Sequence, residues 1–258
     1  MQYPNTVEFK VWGKYALFTD PLTKIGGEKY SYQIPTYEAL KGILSSVYWK
    51  PTFVWVIDKV RVMKRIKTQT RNAKPLNYGG IYPSAHVSGK KQEPFNDLAI
   101  YTYLSDVEYQ VQAHFEWNKN REDLKQDRNE NKHYCVAKRM IERGGRRDIF
   151  LGTRECQGYV EECKFGDGAG EYDGYGELDA FGLMFHGFDY PDEDKKDKFY
   201  ARFWRPKMMD GVIKFVRPDD PDEKVLIRKF VRPMKANPPA TIGLMEEGLL
   251  EGCEEGSV

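Results

Sequence analysis

The chain has 258 residues, of which 40% are apolar, 14% aromatic and 31% charged, with a formal net charge of +1. That much apolar side chain excludes a disordered polymer, and no apolar run reaches the roughly 18 residues that a bilayer crossing needs. The net charge hides an asymmetry: residues 246–258 hold five glutamates and no lysine or arginine, which leaves 40 basic against 34 acidic residues in the rest.

Residues 7–18 (VEFKVWGKYALF) alternate Val7, Phe9 and Val11 with polar neighbours, which predicts a first strand. After a glycine-containing loop, Pro35-Thr36 signals a helix with Thr36 as N-cap. Leu40, Ile43, Leu44 and Val47 are spaced to share one face, and the helix ends near Trp49, before Lys50-Pro51. A long strand is expected from Thr52 to Ile66, then a loop over 68–97. The segment 106–118 alternates Val107, Tyr109, Val111, Ala113, Phe115 and Trp117 with Glu108, Gln110, Gln112, His114 and Glu116, the pattern of a half-buried strand.

A second helix follows, with Asn129 or Asn131 as N-cap, Val136, Ala137, Met140 and Ile141 facing inward, and Gly144-Gly145 as the stop. Residues 147–165 supply at least one more strand. The order strand, helix, strand, strand, helix, strand predicts an α+β, ferredoxin-like (RRM-like) βαββαβ domain over residues 1–165. From 166 the texture turns glycine-rich and acidic, and the short runs that follow predict a small antiparallel β region to residue 236. A mobile acidic tail is expected over 237–258.

Four cysteines, Cys135, Cys156, Cys163 and Cys253, lack the paired short spacing of a zinc site, and the N-terminus does not resemble a signal peptide. The expectation is reduced thiols in a cytoplasmic protein without a metal or other cofactor. The acidic clusters DYPDEDKKD and RPDDPDE are spaced as solvated turns rather than as cation loops. His114 and His186 read as structural, and His86 falls in a loop.

Two features carry chemistry. Lys59 to Lys74 (KVRVMKRIKTQTRNAK) holds seven lysines or arginines and no acid, which suits a polyanion or, equally, a solvated strand and loop. Lys132 and His133 fall in the first turn of the second helix, where free N–H groups and the helix dipole favour an anion. Lysine can offset charge on a pentavalent phosphorane, and an imidazole can move a proton to or from oxygen. Tyr48, at the end of the first helix, can orient or deprotonate a ribose 2′-hydroxyl if nearby cations lower its pKa. Together they meet the needs of RNA scission by the 2′-hydroxyl, which requires in-line positioning but not a metal. The bland reading is a helix-end tyrosine in packing and a solvated Lys-His pair.

The runs YALFTDPLTKIGGEK, PTYEALKGI, YWKPT, KHY, GGRRDIFLGTRECQGYVEEC and HGFDYPDE resemble the type I-C CRISPR-associated processing protein, a RAMP-superfamily member of the fifth Cas family. The resemblance runs from Val7 to Pro233, leaving aside the loop 81–96 and the tail. It implies a sequence-specific, metal-independent endoribonuclease that cuts the repeat hairpins of precursor CRISPR RNA. It also implies that the protein stays on the crRNA 5′ handle as a subunit of the type I-C interference complex, or, alternatively, binds that handle without cutting. By the same resemblance Tyr48, Lys132 and His133 are the catalytic set: His133 as general acid or base, Lys132 as transition-state stabiliser, Tyr48 as orienting group or base. Lys59, Arg61, Lys64, Arg65, Lys67, Arg71, Arg146 and Arg147 are the candidate RNA contacts.

Overall fold

The computed structural model describes residues 4–20, 28–74, 98–194 and 197–235. The loop 81–96, the tail from 237, His86 and Cys253 lie outside the described residues. In chain order the first elements are β1 (Val7–Ala16), β2 (Lys29–Tyr30), α1 (Tyr37–Val47), β3 (Phe53–Val62), β4 (Thr68–Ala73) and β5 (Ala99–Trp117). A 3-10 turn (Glu122–Asp127), α2 (Glu130–Glu142), β6 (Ile149–Phe150) and β7 (Gln157–Glu162) follow. The remainder comprises β8 (Glu177–Leu178), β9 (Met184–Asp189), α3 (Pro191–Asp194), β10 (Lys198–Trp204), β11 (Met208–Met209), β12 (Val212–Lys214) and β13 (Ile227–Pro233).

The architecture is α+β, with mostly antiparallel sheets and few helices. Four long strands run in the order β7-β1-β5-β3, each antiparallel to its neighbours. Val7, Phe9 and Val11 of β1 stand opposite Ala113, Val111 and Tyr109 of β5, and all six are buried. Because side chains alternate along a strand, this register puts them on one face. Leu40, Ile43, Leu44 and Val47 of α1, with Ala137 and Ile141 of α2, join them in a single hydrophobic core. The Thr36 hydroxyl accepts the Ala39 N–H at 3.1 Å and opens α1. For α2 the cap is Asn129 rather than Asn131.

Three expectations about the strands change. β3 stops at Val62, whose N–H bonds the Gly211 carbonyl at 2.9 Å, and the last bond to β5 runs from the Met63 N–H to the Glu108 carbonyl at 2.9 Å. The expected loop from 68 opens with a strand, β4, paired antiparallel along Ala99–Leu104 of β5. Residues 68–72 are exposed, so β4 is held through its backbone and leaves no apolar alternation in the sequence. β5 begins at Ala99 rather than at residue 106. At Asp106, whose φ is +53°, its partner on one side switches from β3 to β4, and Tyr103 and Leu104 are buried in succession, which breaks the period of two.

The expected boundary at residue 165 is bridged by hydrogen bonds. β12 pairs with β3 through Val212–Arg61 and Ile213–Val60, and β11 and β8 extend the same sheet. Among the described strands only β9, β10 and β13 form a separate sheet. It docks on α1: the Tyr37 ring stacks on His186 with centroids 4.3 Å apart, and Glu38 accepts the Phe188 N–H at 3.2 Å. Burial, then the Arg202 charge, pushes His186 down to about 3. One glycine is obligatory: at Gly152 φ is +96° and a Cβ would stand 2.0 Å from the Leu17 carbonyl oxygen.

Candidate active site

Tyr48 is the C-cap of α1, its N–H closing on the Leu44 carbonyl at 2.8 Å. Lys50-Pro51 ends the helix there, since a residue before proline is driven out of the α region. The Trp55 indole donates to the Tyr48 carbonyl at 2.8 Å, and the Tyr48 ring packs 5.6 Å from Phe53. Only 5% of Tyr48 is exposed, and its hydroxyl lies 2.8 Å from His133 Nδ1.

His133 is fully buried in a cage of rings, with Phe53, Trp117 and Phe115 at centroid distances of 5.3, 5.8 and 6.3 Å. Its Nε2 lies 2.7 Å from the backbone carbonyl of Asp127. A carbonyl can only accept, so Nε2 is the protonated nitrogen of the tautomer and Nδ1 turns a lone pair towards Tyr48. The Tyr48 hydroxyl is therefore the donor. With no exposed surface of its own, the imidazole meets the exterior only by way of that hydroxyl. Burial, and next the Asp127 charge, raise the Tyr48 pKa against the pull of Arg146. The condition under which Tyr48 would act as a base by itself, a pKa lowered by nearby cations, is not met, because desolvation outweighs the pull of Arg146.

Lys132 is the outermost member, its side chain 55% exposed, and its Nζ reaches Asp127 Oδ1 at 2.5 Å. Asp127 Oδ2 accepts the Thr52 hydroxyl at 2.8 Å and stands 3.4 Å from His133 Nε2. The Lys132 bond first and the Thr52 bond next hold the Asp127 carboxyl below its usual range. The α2 start expected to attract an anion is already capped: the Asn129 side chain takes the Lys132 N–H at 3.0 Å, and Glu130 sits in the first turn. Among the described residues no group of three His, Cys, Asp or Glu is placed to hold a metal ion, and no helix is long and apolar enough to cross a membrane.

A family model described as CRISPR-associated protein (Cas_Cas5), that of the Cas5d group, matches residues 6–216. The chain belongs to the Cas5d family. A curated relative from Mannheimia succiniciproducens, named CRISPR pre-crRNA endoribonuclease Cas5d, is 36% identical over 121 residues, 43% of this chain and 52% of that protein. The chain thus spans about half the length of that relative. A crystal structure titled as a CRISPR-associated protein aligns with a TM-score of 0.64 and 34% identity, covering 82% of this chain and 91% of the other. A functionally uncharacterized protein from Streptococcus mutans aligns with the same TM-score and 39% identity, covering 82% and 92%.

In this Cas5d-family chain the three residues singled out by sequence meet in one site, and the basic residues divide. Arg146 and Arg147 are exposed, and their backbone N–H groups bond the carbonyls of Val47 and Ser46 at 3.2 and 3.1 Å, beside Tyr48. The run from Lys59 lies roughly 20 Å further along β3 from Phe53, and on β4. Arg61, offered as an RNA contact, is buried and committed inward. It bonds both Asp173 carboxylate oxygens at 2.8 Å and the Gly168 carbonyl at 3.0 Å, tying down the glycine-rich segment. Lys59 sits 4.2 Å over the Phe165 ring, Lys64 bonds Asp106 at 2.7 Å and Arg65 lies 3.7 Å from Glu171. Lys67 and Arg71 are exposed, and Arg71 donates to the Tyr15 hydroxyl at 2.6 Å. Sequence reasoning missed Asp127 and Thr52. The carboxylate falls in the charged run EDLKQDRNE, which reads as a solvated turn.

Proposed function

We propose that the chain is a sequence-specific, metal-independent endoribonuclease that cleaves the repeat hairpins of precursor CRISPR RNA. In this reading it then stays on the crRNA 5′ handle as a subunit of the type I-C interference complex. The four-strand order β7-β1-β5-β3, with α1 and α2 over one face, supports a ferredoxin-like core, a common platform for RNA. Membership of the Cas5d family and the relative named as a pre-crRNA endoribonuclease support the substrate class. The observation that carries the reading is the Tyr48–His133 bond of 2.8 Å, with Lys132 on the adjacent residue.

The chemistry follows from that bond. The ribose 2′-hydroxyl gives its proton to the Tyr48 oxygen as the Tyr48 proton passes to His133 Nδ1, and the 2′ oxygen attacks the adjacent phosphorus in line. Relay through His133 replaces a lowered tyrosine pKa. Lys132 offsets the charge gathering on the phosphorane oxygens. The bond from phosphorus to the 5′ oxygen breaks, that oxygen takes a proton from water, and the hydroxide left is neutralised by the proton that His133 gives back through Tyr48; the products are a 2′,3′-cyclic phosphate and a 5′-hydroxyl.

The test is cleavage of an end-labelled cognate repeat hairpin in EDTA by wild type and His133→Ala, with a second hairpin carrying a 2′-deoxy at the scissile nucleotide. Cutting by wild type alone, and only of the 2′-hydroxyl substrate, is the expected result. One observation favours a second reading, a handle-binding subunit without activity: His133 has no exposed surface and Lys132 is paired with Asp127. Tight binding of the hairpin by wild type without cutting selects it.

A further inference from the structure

Asp127 is the hub between the start of α2 and the entry to β3. Its carboxylate meets Lys132 of α2 at 2.5 Å and Thr52, at the entry to β3, at 2.8 Å, while its carbonyl meets His133 at 2.7 Å. The mounting is braced in turn. The Asn118 N–H bonds the Thr52 carbonyl at 2.9 Å, and Arg128 bonds the carbonyls of Asn118 and Arg121 at 3.0 and 3.1 Å, closing the segment between β5 and α2 on itself. None of these contacts is needed to make a solvent-exposed turn. Their shared effect is to hold one ammonium and one imidazole in fixed directions.

We infer that Asp127 is the positioning residue of this site, its carboxylate holding the Lys132 ammonium at the rim and its carbonyl holding His133 with Nδ1 aimed at Tyr48. The inference rests on the reading of Tyr48, Lys132 and His133 as the reacting set. An unheld lysine on a helix surface spreads over many rotamers, and a short charge-assisted bond selects one of them. Thr52 contributes only by fixing the carboxylate. The same negative charge opposes an incoming phosphate, so Asp127 favours the rate at the expense of affinity. A group that merely stabilises the fold has no such opposed effects.

The experiment uses the full chain and the labelled repeat hairpin, reading the single-turnover rate constant and the hairpin dissociation constant for Asp127→Asn, Thr52→Val, the double variant and His133→Ala. Asp127→Asn is expected to slow cleavage about 10- to 100-fold, the scale on which a displaced charge-stabilising group costs rate, with binding unchanged or tighter. Thr52→Val is expected to slow it less, and the double variant to be no slower than Asp127→Asn alone. A rate within twofold of wild type in Asp127→Asn, a parallel loss of rate and affinity, or multiplying effects of the two substitutions overturns the inference. If His133→Ala cuts like wild type, the reading of the site falls instead; if it is dead while Asp127→Asn is fully active, only the role of Asp127 falls. A second measurement does not depend on activity. The Lys132 ammonium, held by Asp127, is expected to give a resolved nitrogen-proton signal at low temperature that Asp127→Asn abolishes, and equal signals in both overturn the inference.

Discussion

Tyr48 donates its hydroxyl proton to His133 Nδ1 at 2.8 Å, although the two residues are 85 positions apart. The bond joins the C-terminal end of α1 to the first turns of α2, and both side chains are almost wholly removed from water. In such surroundings a hydrogen bond is stronger and a lost partner more costly than at the surface.

Tyr48→Phe removes the hydroxyl and leaves Nδ1 buried without a donor. The expected stability loss is about 1 to 3 kcal/mol, read by urea unfolding. Cleavage of the hairpin is expected to fall by about 10² or more while the hairpin still binds. A cleavage rate equal to wild type would remove Tyr48 from the relay.

Lys132→Ala deletes an exposed side chain, paired with Asp127, that the proposed mechanism sets against the charge of the phosphorane. A loss of about 10² to 10³ in the single-turnover rate is expected, with hairpin affinity changed only a few-fold, because transition-state interactions do not govern ground-state binding. Equal losses in rate and affinity would make Lys132 a phosphate grip and nothing more.

The basic run is expected to split under mutation as it splits in space. Replacing Lys67 and Arg71 together with alanine should weaken hairpin binding and reduce the slope of log K against log salt by about 1.4, two single-strand phosphate contacts' worth. Arg61→Ala should leave that slope alone and lower the melting temperature, because Arg61 holds Asp173 and Gly168. The reverse pattern would show that Arg61 turns outward in the complex.

His114 links Asp58, at 3.0 Å, to Glu116, at 3.4 Å, and Glu116 also takes Arg217 at 2.8 Å. The His114 bond first, with help from Arg217, draws Glu116 down to about 2. For His114, burial opposes the charge, but the bonds to Asp58 and Glu116 outweigh it and raise the pKa above 6.5. A depressed carboxyl contributes stability above its ordinary 4.5 that is lost as pH falls towards 2, and a raised histidine contributes below 6.5 and is lost as pH rises through its folded value. The stability gap between wild type and Glu116→Gln is therefore expected to be widest between pH 4.5 and 6.5. It should narrow on both sides and persist in part above, where Arg217 still pairs with Glu116. Urea unfolding from pH 3 to 9 measures it, and a flat gap would show that His114 stays neutral.

The elements legible in the sequence were those whose burial is one-sided and local. Leu40, Ile43, Leu44 and Val47 mark α1, and Val107 to Trp117 mark the C-terminal half of β5, because a helix or strand with one face in the core must repeat its apolar residues at its own period. Thr36 and Lys50-Pro51 marked ends, and the start of α2 was narrowed to Asn129 or Asn131, since caps and proline act on backbone groups within a few residues. β4 escaped because a strand held through its backbone, with both faces wet, leaves no such period. The family resemblance placed Tyr48, Lys132 and His133 as a set, whereas composition and spacing alone left them open.

Local residue patterns suffice to make this an α+β chain with an aromatic core, a basic run, a Tyr at one helix end and a Lys-His pair at the start of another. Only the tertiary structure decided which of those charges face out, that Arg61 belongs to Asp173 and Lys64 to Asp106, and that Asp127 holds the pair. The reason is the range of the forces: propensity and periodicity act within about two turns of chain, while ion pairs and buried hydrogen bonds join whatever residues the packed sheet brings within 3 Å of one another. His133 shows the difference plainly. Its place in the sequence made it a polar residue at a helix start, and four rings and a carbonyl made it a buried imidazole behind a tyrosine.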